Sequence, residues 1–275
     1  MKNLIQRVIT GVFFVALMVG AICVHPTAFL IVFSIVVRLT LAEFYRLMNK
    51  KQVMSNLQRE IYILAGVYLF VSSFFYTRMG WDAKIFLPYL LFLIAVPISG
   101  LYTKQKEPLQ QWTIAYLGQL YVAGSFSLLN WILFPIGVEG FHYLFVLAMF
   151  VFVWVNDSGA FAVGSLFGKR RLFERISPKK SWEGFWGGLY AALLVSVIFA
   201  QVDSSVAWYH WSGLSVFVVV MSVWGDLVES QLKRSLDVKD SGSLLPGHGG
   251  MLDRFDSVLF AIPATYVYIE LFIRS

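Results

Sequence analysis

Two stretches of the chain combine carboxylates, basic side chains and glycines in a way that suits chemistry on phosphate groups. The first stretch runs from Asn156 to Gly184, and the second runs from Gly225 to Asp256. Together they contain ten of the 22 Lys and Arg residues and more than half of the acidic residues. A segment that only joins two helices needs polar residues of mostly one charge sign. The mixture of charges therefore predicts a binding or catalytic site.

The carboxylates of the second stretch are candidate ligands for a hard metal ion. They are Asp226, Glu229, Asp240, Asp253 and Asp256. No set of His and Cys residues accompanies them, which favours Mg²⁺ over zinc. The lone cysteine, Cys23, excludes an internal disulfide and a cysteine-based zinc site. Asp226 closes an apolar segment, where the negative end of a helix dipole disfavours a carboxylate, and a bound cation would offset that cost.

Basic side chains beside glycines favour phosphate oxygens as ligands, because glycine lets backbone N–H groups come close and the cations neutralise charge. Carboxylates, a metal ion and cations around a phosphate chain are the groups needed for phosphoryl or nucleotidyl transfer. Asn156 and Asp157 are expected to bind a metal ion or a hydroxyl group, since an acid such as Asp157 is costly at membrane depth without a function. His248 lies between glycines and is expected to touch a ligand. Three alternatives stay open: residues 169–171 as a positive-inside anchor, a hydrated Asp157 that binds no ligand, and a structural His248.

The composition indicates a membrane protein. Of 275 residues, 58% are hydrophobic and only 14% are charged, and the mean hydropathy is +0.70. An ordinary globular domain has about 25% charged residues, so this chain lacks the material for a water-facing surface. The net charge of +6 is interpreted as membrane topology, and we expect no nucleic-acid partner.

Apolar stretches of about 17 to 25 residues, the length that spans a bilayer, recur along the whole chain. We predict an all-α polytopic membrane protein with about nine transmembrane helices. Spans six and eight are short and fit only if each helix continues into the polar segment that follows. The chain is divided into N-terminal transmembrane helices (1–135) and a C-terminal catalytic region with cytoplasmic active-site loops (136–275), in one membrane unit without a soluble domain. The predicted spans are 8–24, 27–45, 61–77, 85–101, 113–135, 141–156, 185–201, 213–225 and 255–272.

The distribution of Lys and Arg predicts the orientation. With the N-terminus inside, 18 of these residues fall on the cytoplasmic side and three on the other, as expected from the positive-inside rule. We therefore expect an integral membrane protein whose site faces the cytoplasm. A bacterial inner membrane is the expected location, and an organelle membrane stays open as the alternative. Arg38 lies within the second span, where it is expected to reach the interface with its charged end or to pair with Glu43.

Residues 230–256 resemble the signature of the CDP-diacylglycerol synthases, also called phosphatidate cytidylyltransferases. They read SQLKRSLDVKDSGSLLPGHGGMLDRFD. The first stretch resembles the same family in its Asn-Asp-Ser-Gly-Ala start at Asn156 and its Ser-Pro-Lys-Lys-Ser-Trp-Glu-Gly segment at Ser177. Phe161 stands where Tyr is expected, Ser181 where Thr is commoner, and Arg38 where the family is usually apolar. The positions that match the signature are Ser230, Lys233, Arg234, Lys239, Asp240, Gly242, Pro246, His248, Gly249, Gly250, Asp253, Arg254 and Asp256.

The resemblance implies the reaction of CTP with phosphatidic acid, a membrane lipid, to give CDP-diacylglycerol and pyrophosphate in phospholipid biosynthesis. It assigns the metal site to Asp226 and Asp253, with Mg²⁺ as the metal and a monovalent cation such as K⁺ as a second candidate. The expected catalytic residues are Asp226, Asp253, Lys233, Arg234 and His248. The expected substrate- and cofactor-binding residues are Asn156, Asp157, Lys179, Lys180, Ser181, Lys239, Asp240, Gly249, Gly250, Arg254 and Asp256.

Three other functions fit the sequence less well. A transporter predicts charges in the middle of several spans, and these are not present. A CDP-alcohol transferase predicts an Asp-Gly-x-x-Ala-Arg motif, which the chain lacks. A scaffold without activity leaves the mixture of acids and bases unexplained. The sequence leaves open whether the chain forms a homodimer and which acyl chains it prefers.

Overall fold

The computed structural model describes residues 2–102, 107–138, 140–242 and 249–274. Helices dominate the described residues, as the sequence predicts. They are α1 (Lys2–Cys23), α2 (Pro26–Met48), α3 (Asn56–Met79), α4 (Leu87–Tyr102), α5 (Pro108–Gly118), α6 (Ser125–Leu133), α7 (Tyr143–Phe167), α8 (Trp182–Val202), α9 (Trp208–Ser235), α10 (Leu252–Phe255) and α11 (Val258–Phe272). Short 3₁₀ turns cover Asn49–Lys51 and Ala83–Phe86, and a π-helical segment, Gln119–Gly124, joins α5 to α6.

Seven helical stretches of the described chain are long and apolar enough to cross a membrane. They are Pro26–Met48, Asn56–Met79, Ala83–Tyr102, Tyr143–Phe167, Trp182–Val202, Trp208–Ser235 and Leu252–Phe272. The remaining two predicted spans, 8–24 and 113–135, are helical as well. The chain is thus an all-α polytopic membrane protein, and the count of nine spans stays a prediction.

The sequence carries local signals for several helix ends. His25 caps α2 by accepting a hydrogen bond from the Thr27 amide at 3.1 Å, and Pro26 occupies the first helical position. Ser55 and Gln58 form a capping box at the start of α3. Gly80 ends α3 with φ of 66°, a left-handed conformation that glycine adopts without steric cost.

Helices α7 and α9 continue past the apolar segments that predict them, as the short sixth and eighth spans require. They contain 25 and 28 residues, which corresponds to about 38 and 42 Å at 1.5 Å per residue. Both lengths exceed the ~30 Å hydrocarbon core of a bilayer. Asn156, Asp157, Asp226, Lys233 and Arg234 therefore lie on helices. Lys233 and Arg234, expected in a cytoplasmic loop, lie on α9 instead, because this helix extends into the polar sequence. Asn156, Asp157 and Asp226 lie at or beside the predicted ends of spans six and eight, as expected.

The chain divides into two compact units. The first contains residues 1–141 and 240–255, so part of the second polar stretch packs with the N-terminal helices. Within this unit, aromatic side chains form a buried chain of contacts. Phe29 packs on Phe33 and Phe70, Phe33 on Phe126, and Phe126 on Phe255 of α10, with ring centroids 4.5 to 6.4 Å apart. Burial of Phe255 anchors α10, which is part of the signature residues 230–256, to this core.

The second unit contains residues 142–239 and 256–275. Helices α7, α8, α9 and α11 pack against one another, around a stack of Trp211 between Phe145 and Phe199 with ring centroids 5.1 and 5.5 Å apart. One element is not predicted from the sequence, an antiparallel hairpin of β1 (Arg171–Phe173) and β2 (Ser177–Ser181). β1 has only three residues and β2 carries no large apolar side chain, so neither strand shows a hydrophobic alternation that could reveal it.

Arg38 does not pair with Glu43. Its guanidinium lies 3.6 Å from Glu60 on α3, and both side chains are about half exposed. Residues five apart on a helix are separated by roughly 140° around its axis, so Glu43 lies on the buried face of α2 while Arg38 is exposed.

Candidate active site

A cavity of about 530 Å³ in the second unit is lined by the residues of the first polar stretch. Asn156, Asp157, Lys179, Lys180 and Ser181, all predicted from the sequence, contribute to its wall. Arg171, Ser165 and three glycines also line it, and its apolar side chains are those of Ala160, Phe161, Leu172, Phe185 and Val223. A cavity with cationic and apolar walls suits a ligand that carries both a phosphate and a hydrocarbon part.

Lys180 brings the two polar stretches together within this unit. Its ammonium forms an ion pair with the Oδ2 atom of Asp226 on α9, and Oδ1 of the same carboxylate accepts a hydrogen bond from Ser230 at 3.1 Å. Both ion-paired side chains keep about a quarter of their surface exposed. Asp226 is therefore held by one cation and one hydroxyl at a partly open position.

Further charges surround Asp226. One turn along α9, the buried Glu229 pairs with Lys233 at 2.5 Å, and Asp256 interacts electrostatically with Asp226, Glu229 and Lys233. Gly225 makes room for the Asp256 backbone, since a Cβ on Gly225 would lie 2.8 Å from the Asp256 carbonyl oxygen. Two ion pairs, Lys180 with Asp226 and Lys233 with Glu229, thus lie on or against the same part of α9, and Asp256 is close enough to Asp226 and Glu229 for their carboxylates to repel.

Glycines let α7 and α8 approach closely enough to form the cavity. Gly184 and Gly188 share one face of α8, and a Cβ on Gly184 would lie 2.9 Å from the Ala160 carbonyl oxygen. At Gly188 a Cβ would collide with the Asn156 amide oxygen and lie 2.6 Å from the Asn156 carbonyl oxygen. Small residues on one helical face are a common device for close packing in membranes. Their spacing in the sequence, Gly-x-x-Gly-Gly from Gly184, is a signal that the sequence analysis did not use.

Hydrogen bonds hold the hairpin that carries Lys179 and Lys180 where the chain enters it and where the chain leaves it. Ser181 caps α8 by accepting a hydrogen bond from the Gly184 amide at 3.2 Å. Glu183 accepts hydrogen bonds from the Lys169 and Arg170 amides at 3.1 to 3.2 Å. Ser181 thus has a structural role in addition to its place in the cavity wall, and Glu183 is a contributing residue that sequence reasoning missed.

In the first unit, the Asp253 carboxylate is oriented by backbone amides. It accepts hydrogen bonds from the Ser241 amide at 3.0 and 3.1 Å and from the Gly250 amide at 2.9 Å. Gly249 adopts φ of 81°, the left-handed region that favours glycine. The Gly250 amide, expected to face phosphate, donates to Asp253 in this structure.

The other predicted residues are at the surface or outside the described chain. Arg234, Lys239, Asp240 and Arg254 are exposed, and the Arg234 guanidinium donates to the Val238 carbonyl oxygen at 3.1 Å. His248 lies outside the described residues, and its expected contact with a ligand stays a prediction. Asp226 and Asp253 belong to different units, so their pairing around one metal ion also stays a prediction.

The donor set fits Mg²⁺ in chemical type. Mg²⁺ in phosphate-transfer sites is held by one or two carboxylates, with substrate phosphates and water as its other ligands. The Asp226 carboxylate already holds a cation, the Lys180 ammonium, which shows that its position accepts positive charge. Across the described residues, no group of three or more His, Cys, Asp and Glu side chains is arranged to hold a metal ion by itself.

Comparison with known proteins gives a consistent family. Residues 5–272 match the model of the cytidylyltransferase family. The chain is 31% identical to a phosphatidate cytidylyltransferase of Bacillus subtilis over 278 residues, covering 99% of this chain and 100% of the relative. It is 43% identical to one from Haemophilus influenzae over 181 residues, covering 63% of this chain and 62% of the relative.

A third relative, a phosphatidate cytidylyltransferase of Staphylococcus saprophyticus, is 47% identical over 126 residues, which are 46% of this chain and 48% of that protein. Since the family model and the Bacillus subtilis relative both extend over nearly all of the sequence, the chain belongs to the cytidylyltransferase family.

Proposed function

We propose that this protein is a phosphatidate cytidylyltransferase that makes CDP-diacylglycerol from CTP and phosphatidic acid. The observation that carries the proposal is the cavity of the second unit, where basic residues and an apolar wall adjoin an ion-paired carboxylate. A phosphorylated lipid needs both kinds of wall. Membership of the cytidylyltransferase family and relatives named for this activity support the assignment.

The reaction is one phosphoryl-type displacement. An oxygen of the phosphatidate phosphate forms a bond to the α-phosphorus of CTP, and the bond from that phosphorus to the oxygen bridging to the β-phosphate breaks. Pyrophosphate leaves with the electron pair. No protein nucleophile is needed, so the chain contributes by positioning the two phosphates and stabilising the charge that spreads over their oxygens.

We assign the lipid phosphate to the cavity. Lys179 and Lys180 on β2 would bind phosphate oxygens there, while Phe161 and Phe185 contact the apolar glycerol and acyl region. The Lys180 ammonium forms an ion pair with Asp226. Binding of a phosphate offers this ammonium a second anionic partner close to its present one.

We assign the nucleotide phosphates to basic residues at the end of α9, after it, and in α10. Lys239 and Arg254 are exposed, as cations that meet a cytosolic nucleotide should be. Arg234 lies near the end of α9, and the neighbouring Lys233 forms an ion pair with Glu229. On this assignment Lys233 stabilises the buried acid, and Arg234 is the better candidate for contact with CTP.

Mg²⁺ is the metal we propose for this enzyme, held by Asp226 and Asp253 together with substrate phosphates, and K⁺ is a candidate second cation. When bound, a divalent cation would neutralise phosphate charge and favour departure of pyrophosphate. The chain's own contribution is to orient the carboxylates: Ser230 and Lys180 hold Asp226, and the Ser241 and Gly250 amides hold Asp253.

The proposed setting is a bacterial inner membrane with the site on the cytoplasmic side. Exposed aromatic residues lie at both ends of the α8–α9 pair: Trp182 and Trp186 at the start of α8, and Trp208 and Tyr209 at the start of α9. Trp and Tyr are enriched at the two membrane interfaces. The cavity is at the Trp182 end, where the headgroup of a lipid would lie.

An assay of purified protein in detergent micelles tests the proposal. With CTP, Mg²⁺ and phosphatidic acid, we expect CDP-diacylglycerol and pyrophosphate in equal amounts. Diacylglycerol, which lacks the attacking phosphate, is the matched control and should give neither product. Pyrophosphate release that does not need the lipid, or ion flux through vesicles containing the protein, would contradict the assignment.

A further inference from the structure

Glu43 is a buried carboxylate in the first unit that the proposed reaction does not use. It lies on α2, five residues before the helix ends, and only 6% of its surface is exposed. An acid in an apolar helix is costly unless its charge is bound or has a function. The side chain therefore needs partners.

Those partners come from the signature segment, about 200 residues farther along the chain. Glu43 Oε2 accepts hydrogen bonds from the Leu252 amide at 2.9 Å and from the Ser241 hydroxyl at 3.4 Å. The other oxygen, Oε1, is buried without a hydrogen-bond partner among the described residues. Glu43 thus joins Ser241 and Leu252 to α2.

Two glycines of the segment allow this contact. A Cβ on Gly250 would collide with Glu43 Oε2, and a Cβ on Gly242 would lie 2.6 Å from Glu43 Oε1 and 2.9 Å from the Arg46 guanidinium. Side chains at these positions would push the carboxylate away. Both glycines belong to the signature that the sequence analysis quotes, and their places beside Glu43 give a steric reason for glycine there.

Asp253 depends on the same backbone. Its carboxylate accepts hydrogen bonds from the Ser241 and Gly250 amides, and the adjoining residue Leu252 is the one that Glu43 binds. Glu43 therefore binds the Ser241 hydroxyl and the Leu252 amide, while Asp253 binds the Ser241 and Gly250 amides. If Glu43 releases the segment, the amides that orient Asp253 lose their fixed position.

We infer that Glu43 is a positioning residue for Asp253: its carboxylate fixes Ser241, Gly250 and Leu252 against α2 and so sets the direction of the Asp253 side chain. The catalytic consequence rests on the proposed function, in which Asp253 binds the metal. The structural consequence, that Glu43 holds Ser241 and Leu252 in place, does not depend on any activity.

The experiment compares three variants of the full-length protein in detergent. Glu43→Ala removes the acceptor, whereas Glu43→Gln keeps the shape and one acceptor oxygen. Glu60→Ala is the matched control, because Glu60 is a half-exposed acid of the same unit whose partner is Arg38. Hydrogen exchange is followed at the peptide that contains Leu252. In Glu43→Ala its exchange should rise at least about tenfold, with a smaller rise in Glu43→Gln and none in Glu60→Ala.

The second measurement is the Mg²⁺ concentration that gives half-maximal activity. Loss of a group that orients a metal ligand weakens metal affinity about 10- to 100-fold, so this concentration should rise by that factor in Glu43→Ala. A purely structural defect would lower the amount of active protein without changing the Mg²⁺ requirement. Recovery toward the normal value in Glu43→Gln would support positioning by the hydrogen bond.

Two results would overturn the inference: unchanged exchange at Leu252 in Glu43→Ala, or faster exchange with an unchanged Mg²⁺ requirement. If Glu43→Ala cannot be isolated, Gly250→Ala replaces it, because the new Cβ displaces the Glu43 carboxylate from the other side. Unchanged exchange in that variant would be equally decisive. If the unaltered protein shows no turnover, the proposed function fails, while the exchange measurement still decides whether Glu43 holds the segment.

Discussion

Replacing Asp226 by Asn tests the centre of the proposed site. The amide has nearly the same size and keeps an acceptor for the Ser230 hydroxyl, which lies 3.1 Å from the carboxylate. It removes the negative charge that now pairs with Lys180. The variant therefore separates the charge of Asp226 from its shape and its neutral hydrogen bond.

The expected loss can be estimated from these contacts. Removing one preorganised electrostatic group at a site of charge development lowers kcat by about 10²- to 10³-fold, or ~3–4 kcal/mol. Removing only the hydroxyl contact, in Ser230→Ala, should cost about 1 kcal/mol, which is roughly a fivefold loss. The Lys180 pair is about one-quarter exposed, so its contribution to stability is at most ~1 kcal/mol and the thermal midpoint should fall by only about 2–4 °C.

The assay measures CDP-diacylglycerol formed from labelled CTP in micelles that contain phosphatidic acid, together with thermal unfolding of each purified variant. Asp226→Asn should lose activity at least tenfold more severely than Ser230→Ala, at nearly equal stability. Activity of Asp226→Asn within about fivefold of the unaltered protein would refute the reasoning. Removal of a charge that binds a cation or organises phosphates should lower the activity by more than this.

Three further predictions concern the residues that build the cavity. Gly188→Ala should destabilise the α7–α8 contact by about 1–3 kcal/mol in thermal unfolding, because its Cβ would collide with Asn156. The control Gly20→Ala, whose Cβ would have nothing within 4 Å, should be neutral. Equal unfolding midpoints for the two variants would contradict this prediction. Ser181→Ala should cost about 1 kcal/mol through loss of the α8 cap, and Ser181→Thr should retain most of it. Lys180→Met should lower kcat/KM for phosphatidic acid about 10- to 100-fold, as expected for a lost charged hydrogen bond, and an unchanged value would remove Lys180 from the phosphate site.

Several residues that line the cavity could be named before its geometry was known. Lys179 and Lys180 are expected from the family resemblance, and they line one cavity with Asn156 and Asp157. Residue type is a usable signal for such a hypothesis because phosphate ligands restrict the choice of side chain. The secondary structure of these residues was not predictable in the same way, since polar residues at the end of an apolar helix are compatible with both a loop and a continued helix.

Glu43 shows the opposite case. The sequence analysis considered it only as a partner of Arg38, because the two residues are close in the chain. Its partners, Ser241 and Leu252, are about 200 residues away. An acid in an apolar helix was a usable signal that some partner had to exist, but nothing in the local pattern identified which one.

The amino-acid sequence by itself determined that the protein enters a membrane and that it carries groups suited to phosphate chemistry. Hydropathy and side-chain type are properties of single residues and their near neighbours, so they are present before any folding. The tertiary structure decided which groups meet: Lys180 with Asp226, and Glu43 with Leu252. These contacts depend on how the helices pack. Packing is set by many weak contacts and by glycines, whose steric fit can be assessed only when both helix surfaces are known.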